Sequence, residues 1–547
     1  MNKKKAVLFA LNSSYSHTNT AVRLLKKYYE SIFSDASLEI KIIEKNMGDR
    51  DLDIINQLCS EKADLYGFSV YIWNRTQMFE YARTVKMLLP CAKVFMGGPE
   101  VSYDGESFFS ENPFVDCLIC GEGEKAFVKL CEDILLDLPP EKIYSGDKLT
   151  AEELSYLGNP YSSELEQGTK FDARLVYIES VRGCPYSCSY CLSCNDKEIR
   201  AKSVHSTVRE LEQLRESGVS TVKFVDRTFN YDVERAKELL REIIKRDFPF
   251  CCHFETCAYL VDEETIEILK TAPGNKIRLE CGVQSINPKV IKAINRPDMI
   301  QKTLDTVERL HNIPSVTLHL DLIAGLPGET FQSFAMAYNK LFAKCDMLQV
   351  GFLKLLRGTP MRENARGYVY LPYPPYTVLE TPDMTREQLN ILQDIAYLTD
   401  KYHNSGSFSH TFAYFMPDDP FGFMMGLRKF ILSEKNSDIL DKRISGKDLY
   451  MYLFRYLSCT NKKETVASCL RMDFLLGQNI MPPPFLMPCP AEMTDTSAKD
   501  VAESFIKVRM KIKPSERGLV YVGRFMHLEN KLVICNRNSK EVYVLDK

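Results

Sequence analysis

Residues 182–194 run Arg-Gly-Cys-Pro-Tyr-Ser-Cys-Ser-Tyr-Cys-Leu-Ser-Cys, which sets Cys184, Cys188 and Cys191 in a C-x3-C-x2-C array. Three thiolates this close on one loop leave no tidy disulfide pairing. They suit three corners of a cubane iron–sulfur cluster, whose irons take Cys thiolate ligands. With three protein donors, one iron stays open to a substrate, which points to chemistry rather than electron storage. A zinc knuckle is the competing reading, with Cys194 adding a C-x2-C-x2-C variant. Zinc sites usually show two separated Cys/His pairs that close a tetrahedron, and no matching pair follows within a short distance.

The elements on either side must position this loop. Before it, strand-like runs at 5–11, 38–43, 64–70, 93–96 and 115–119 alternate with helical spacings at 19–32, 51–59, 76–88 and 122–136. That alternation predicts a parallel, doubly wound sheet, which binds ligands beyond the carboxyl ends of its strands. The loops at those ends carry Tyr15 and His17; Ser69, Tyr71, Trp73 and Asn74; Gly97-Gly98-Pro99-Glu100; and Gly121-Glu122-Gly123-Glu124. None is a G-x-G-x-x-G fingerprint after the first strand, so a dinucleotide is not favoured. A polar stretch at 139–172, punctuated by Pro and Gly, reads as a linker. From 174 onward strands at 175–180, 221–225, 250–254, 276–281, 316–320 and 347–352 alternate with helices, predicting six β/α steps whose catalytic groups lie at the strand carboxyl ends. On the third strand His253 and Glu255 share one face; the sequence does not say whether that face looks inward. Past Pro375 the alternation stops. Helices are expected at 385–404, 421–432 and 448–457, with small-sheet strands at 501–510, 518–525, 531–535 and 541–545. The aromatic and Met-rich stretches there read first as core.

The cysteine spacing, with Tyr190 before the third cysteine, resembles the radical SAM superfamily. The preceding loops resemble the cobalamin-binding domain of its cobalamin-dependent branch. The fold class implied is α/β: a Rossmann-like cobalamin-binding domain (1–138), a linker (139–172), a partial (β/α)6 radical SAM core (173–375) and a mixed α+β accessory domain (376–547). The implied cofactors are a 4Fe-4S cluster on Cys184, Cys188 and Cys191, S-adenosyl-L-methionine (SAM) on the open iron, and cobalamin. By the same resemblance Tyr190, Asp226, Glu280, Gln284 and Ser285 place SAM, with Asp226 or its backbone meeting the ammonium group; a cap or a salt bridge to Arg227 is the other reading of Asp226. The loop of Ser69, Tyr71, Trp73 and Asn74 would underlie the corrin, and the Gly97–Glu100 and Gly121–Glu124 loops would flank the nucleotide tail. Tyr15-x-His17-x-x-Thr20 lacks the Asp and Gly of the cobalt-ligating D-x-H-x-x-G motif. A cobalamin with no protein ligand beneath it is therefore expected, with His17 a polar contact.

The implied activity is methyl transfer to an unactivated carbon through a 5′-deoxyadenosyl radical and methylcobalamin. A non-methylating rearrangement, cyclisation or oxidation is the alternative, and a cofactor-binding sensor without turnover is the alternative of another class. The substrate would be a small molecule or peptide, and the electron donor a flavodoxin or ferredoxin. Of 547 residues, 70 are Lys or Arg and 73 Asp or Glu, so a net charge of −3 gives no attraction to nucleic acid or anionic membranes. No stretch of about 18 apolar residues and no signal core appears. The 18 cysteines are scattered, which fits a reducing compartment and a cytoplasmic location.

Overall fold

A computed structural model describes residues 3–33, 38–105, 107–415, 418–436, 440, 444–478, 481–487, 520–525, 528, 531–536 and 540–545. The chain divides into two compact units, 1–330 with 352–385, and 331–351 with 386–547.

The first unit opens with strand β1 (Lys4–Asn12), whose last seven residues are all buried. Val7, Phe9 and Leu11 enter one apolar cluster while Ala6, Leu8 and Ala10 enter another. A strand apolar on both faces is covered on both faces, as parallel sheets require. β2 (Leu38–Asn46), β3 (Leu65–Ser69), β4 (Lys93–Gly97), β5 (Cys117–Cys120) and β6 (Ile143–Ser145) complete a parallel sheet in the order β2–β1–β3–β4–β5–β6. Strand order reverses between β1 and β3, so a crevice opens beyond their carboxyl ends. The helix Thr20–Ile32 begins at that crevice, with Asn19 as N-cap accepting from the Val22 amide at 3.2 Å. The expected linker is more ordered than its Pro and Gly content suggests. β6 extends the first sheet past residue 138, and helices cover Ala151–Leu157, closed by a Thr150/Glu153 capping box, and Ser162–Glu166.

A second parallel sheet holds β7 (Leu175–Ile178), β10 (Thr221–Phe224), β11 (Cys251–Thr256), β12 (Ile277–Gln284) and β13 (Val316–Ala324) in consecutive order. Helices lie between them at Val204–Gln213, Val233–Arg246, Glu263–Lys270 and Ile300–His311. One-way winding of this kind curls a sheet toward an open barrel. The short antiparallel pair β8 (Val181–Arg182) and β9 (Arg200–Ala201) closes the base of the cysteine loop.

The second unit takes in the helix Phe331–Phe342. Its Phe331 and Tyr338 rings pack on Phe421, 5.4 and 5.5 Å between centroids. Helices Arg386–Thr399, Ser409–Phe415, Pro420–Lys435, Gly446–Leu457 and Lys463–Gly477 follow, then three antiparallel strands at Val520–Phe525, Lys531–Asn536 and Glu541–Leu545. The strand expected at 501–510 lies outside the described residues. Among the described residues, no helix is long and apolar enough to cross a membrane.

Candidate active site

The cysteine loop is braced before any cofactor is considered. Cys184 and Cys188 are buried, Cys191 is half-buried, and all three thiols are free. The Cys184 amide donates to the Asp196 carbonyl at 2.9 Å and the Ser189 amide to the Ile294 carbonyl at 3.0 Å. Gly183 sits at φ +86°, where a Cβ would stand 2.2 Å from the Glu198 carbonyl oxygen, so only glycine makes this turn. Arg296 donates to Tyr190 Oη at 3.4 Å and to the Gly282 carbonyl at 2.5 Å. Burial pushes the Cys188 thiol up, and the same guanidinium works against it. Three thiols beside one fixed arginine fit a net-negative iron–sulfur cluster. Cys194 is half-buried with its Sγ on the neighbouring Asn195 Oδ1 at 3.4 Å.

Asp226 is fully buried and already engaged. It accepts from the Ser180 amide at 2.7 Å, the Val181 amide at 3.0 Å and Ser180 Oγ at 2.5 Å. Burial pushes its carboxyl up, against those bonds. These bonds make Asp226 a bracket on the strand that enters the cysteine loop. Ser285 is likewise buried and spends its hydroxyl on the Asn287 amide at 3.1 Å. Gln284, at φ +68° on a register shift of β12, folds its amide over Gly282, and its Oε1 is buried without a partner. That orphaned acceptor faces a place where a ligand donor would relieve it.

Glu280, four residues earlier, faces other partners. The face shared by His253 and Glu255 on β11 also carries Glu280 on β12 and His319 on β13. Lys223 Nζ lies 2.8 Å from Glu280 Oε2, and His253 Nε2 lies 2.9 Å away. Burial opposes ionisation, yet the His253 ring and the Lys223 ammonium hold the Glu280 carboxyl down to about 2. Burial lowers the pKa of both His253 and His319, against the pull of Glu280. Lys223, His319 and Asp321 carried no signal in the sequence, since the register that gathers them is set by strand pairing.

A cavity of about 730 Å3 opens at the crevice of the first sheet. Of the residues read as cobalamin contacts, His17, Ser69, Tyr71, Trp73, Gly97, Gly98, Pro99 and Gly121 to Glu124 line it. Tyr177, Arg182, Ser193 and Arg227 from the second sheet and the cysteine loop line it too. Tyr71 and Trp73 stack at 4.5 Å with planes 5° apart, a flat apolar platform. A Cβ on Gly121 would meet no protein atom within 4 Å, so the wall there is hollow. A platform and hollow glycine walls fit a large planar macrocycle such as a corrin. His17 Nδ1 lies 2.5 Å from Tyr177 Oη, which ties the imidazole to the second sheet. Burial pushes the Tyr177 phenol up to about 12.

Three predicted contacts fall outside this lining. Tyr15 is 62% exposed with Arg174 over its ring. Asn74 is fully buried and builds the platform loop, accepting from the Tyr71 amide and donating to the Leu11 and Ser69 carbonyls. Glu100 is buried and accepts from Tyr376 Oη at 2.8 Å. Glu122 and Glu124 line the cavity with their carboxylates turned to arginine: Arg182 lies 2.9 Å from Glu122 and 2.5 Å from Glu124, and Arg200 also pairs with Glu122. Arg182 further meets Glu179 at 2.9 Å.

Residues 14–131 match the B12 binding domain, 178–341 match the radical SAM superfamily, and 365–517 match a protein family of unknown function (DUF4080). The 2-(S-pantetheinyl)-carbapenam-3-carboxylate methyltransferase of Streptantibioticus cattleyicolor is 26% identical over 364 residues, 60% of this chain and 53% of that protein. The cobalamin-dependent radical SAM methyltransferase TokK of Streptomyces tokunonensis is 25% identical over 367 residues, with the same two shares. The chain thus spans about half the length of these relatives. The fold is similar to that of TsrM from Kitasatospora setae, a radical S-adenosylmethionine methyltransferase solved with cobalamin and a [4Fe-4S] cluster bound. The TM-score is 0.53 at 18% identity over 68% of this chain and 82% of that one. It is also similar to the cobalamin-dependent S-adenosylmethionine radical enzyme OxsB, with a TM-score of 0.59 at 14% identity over 86% and 78%.

Proposed function

We propose that this chain, which joins a B12 binding domain to a radical SAM domain, transfers a methyl group from SAM to an unactivated carbon of a small molecule or peptide. One observation carries the reading: a single cavity is lined both by the loops of the B12 binding domain and by residues of the cysteine loop and the second sheet. When bound, the cluster supplies the electron that cleaves SAM, and cobalamin supplies a cobalt able to carry a methyl group.

The chain's own residues then have distinct tasks. Cys184, Cys188 and Cys191 hold the cluster, and Arg296 offsets its negative charge while fixing Tyr190 against the end of β12. Gln284 holds SAM through the acceptor that lacks a protein donor. Tyr71 and Trp73 would carry the corrin, and the turn at Gly121, open beyond its Cα, leaves room for its edge. His17, bound to Tyr177, would offer the corrin a polar contact at the cavity wall. Asp226 sets the path of the chain into the cysteine loop. The electron donor is of the flavodoxin or ferredoxin class.

The experiment is an anaerobic incubation of cluster-reconstituted, cobalamin-loaded protein with SAM deuterated in its methyl group, a strong reductant and a small-molecule extract. A deuterated methyl in a product, with 5′-deoxyadenosine released, supports the proposal. Release of 5′-deoxyadenosine without label transfer means a non-methylating radical enzyme. Cofactors bound without SAM cleavage mean a sensor, and stoichiometric zinc without iron means a knuckle.

A further inference from the structure

The second sheet carries another constellation. His253 on β11, Glu280 on β12 and His319 on β13 occupy three adjacent strands, and one ligand atom from each lies within 4.8 Å of the other two. Both imidazoles are more than nine-tenths buried, at 7% and 8% exposure, and the Nε2 atom of each is buried without a hydrogen-bond partner. His253 Nε2 stands 2.9 Å from Glu280 Oε2. His319 Nε2 stands 3.2 Å from Asp321 Oδ1, another buried atom with no partner. Orphaned polar atoms are rare in protein interiors, and a cluster of them around one point is satisfied by an ion bound there.

We infer that His253, Glu280 and His319 bind a divalent transition-metal ion, with Asp321 as a fourth donor. Two imidazoles and a carboxylate suit Zn2+, Fe2+ or Co2+. The ligands come from three strands, so no spacing in the sequence announces them. Glu280 and Asp321 keep 17% and 18% side-chain exposure, which leaves the ion reachable from the barrel interior and open to a substrate oxygen or nitrogen. Lys223 is the competitor. Its ammonium sits 2.8 Å from Glu280 and 3.8 Å from Glu255, so an arriving ion displaces it toward Glu255. The site stands independently of methyl transfer.

The other acidic constellation, Glu234, Asp262 and Glu264, is exposed and gathered around the Lys237 ammonium, and it serves as a control. The full chain, with cluster reconstituted and cobalamin bound, is dialysed against graded Zn2+, and zinc is counted beside iron, sulfide and cobalamin. One zinc per chain is expected in the parent. His253→Ala and His319→Ala should weaken that binding at least tenfold, Glu264→Gln should not change it, and Lys223→Met should tighten it severalfold. Equal zinc in the parent and both histidine variants would overturn the inference. So would a Lys223→Met variant whose affinity is unchanged or weaker, and that arm decides alone if the histidine variants lose their cluster.

Discussion

Replacing Asp226 separates its bracket role from a ligand-binding role. Its carboxylate receives two backbone amides and one hydroxyl in a fully buried place. Each buried donor left unpaired costs about 1–3 kcal/mol, so with three donors Asp226→Ala should destabilise the entry to the cysteine loop by about 3–9 kcal/mol. Asp226→Asn is different. Its carbonyl keeps both amides, and the Ser180 hydroxyl can turn to accept from the new amide nitrogen, so all three contacts survive. Hydrogen exchange read by mass spectrometry on peptides spanning 178–184 measures this directly. At about 1.4 kcal/mol per factor of ten, Asp226→Ala should speed exchange of the Ser180 and Val181 amides by 100-fold or more and lower iron per chain. Asp226→Asn should stay within about tenfold of the parent, keep its iron and still bind SAM. If Asp226→Asn keeps its iron and slow exchange but loses SAM, the carboxylate charge is meeting the ligand and the bracket is secondary.

Other outcomes follow from the same geometry. Cys184→Ala, Cys188→Ala and Cys191→Ala should each abolish the cluster's visible absorption and 5′-deoxyadenosine release, whereas Cys194→Ala should keep both. His17→Ala should retain cobalamin within about threefold, measured by equilibrium dialysis; complete loss would make this imidazole an essential ligand. Gly98→Ala forces a Cβ to 2.4 Å from the Val70 carbonyl oxygen at φ +116°, so it should lower cobalamin per chain at least tenfold with the cluster intact. Burial opposes ionisation of Glu122, but Arg200 and Arg182 hold its carboxyl below the usual carboxylate range. Its stabilising contribution is therefore complete above about pH 4–5 and lost as pH falls through the depressed value. Glu122→Gln should be less stable than the parent at pH 7, with the gap closing in acid, as read by urea unfolding.

Much of this architecture was legible because parallel strands and their helices write their periods locally. The helices Thr20–Ile32 and Gly446–Leu457 run within a residue or two of where their spacing placed them. β6 was missed because three residues beyond a Pro-Pro pair carry too short a pattern to distinguish a strand from a linker. The cavity-lining loops were legible as glycine and aromatic clusters at strand ends. What the side chains do there was not. Lys223 meets Glu280 across 57 residues and Ser180 meets Asp226 across 46, and no local pattern records the register that joins them. Glu100, Asn74 and Asp226 each bond a backbone group or a phenol that only the folded chain brings near.

Arg182 has one further consequence. It is buried against Glu122, Glu124 and Glu179, one end in a turn of the first sheet and the other at the root of the cysteine loop. Removing one member of so enclosed an ionic knot strands the rest, at about 3–5 kcal/mol. A substitution in the Glu122–Glu124 turn would therefore also slacken the root of the cysteine loop, although it lies about 60 residues away in sequence.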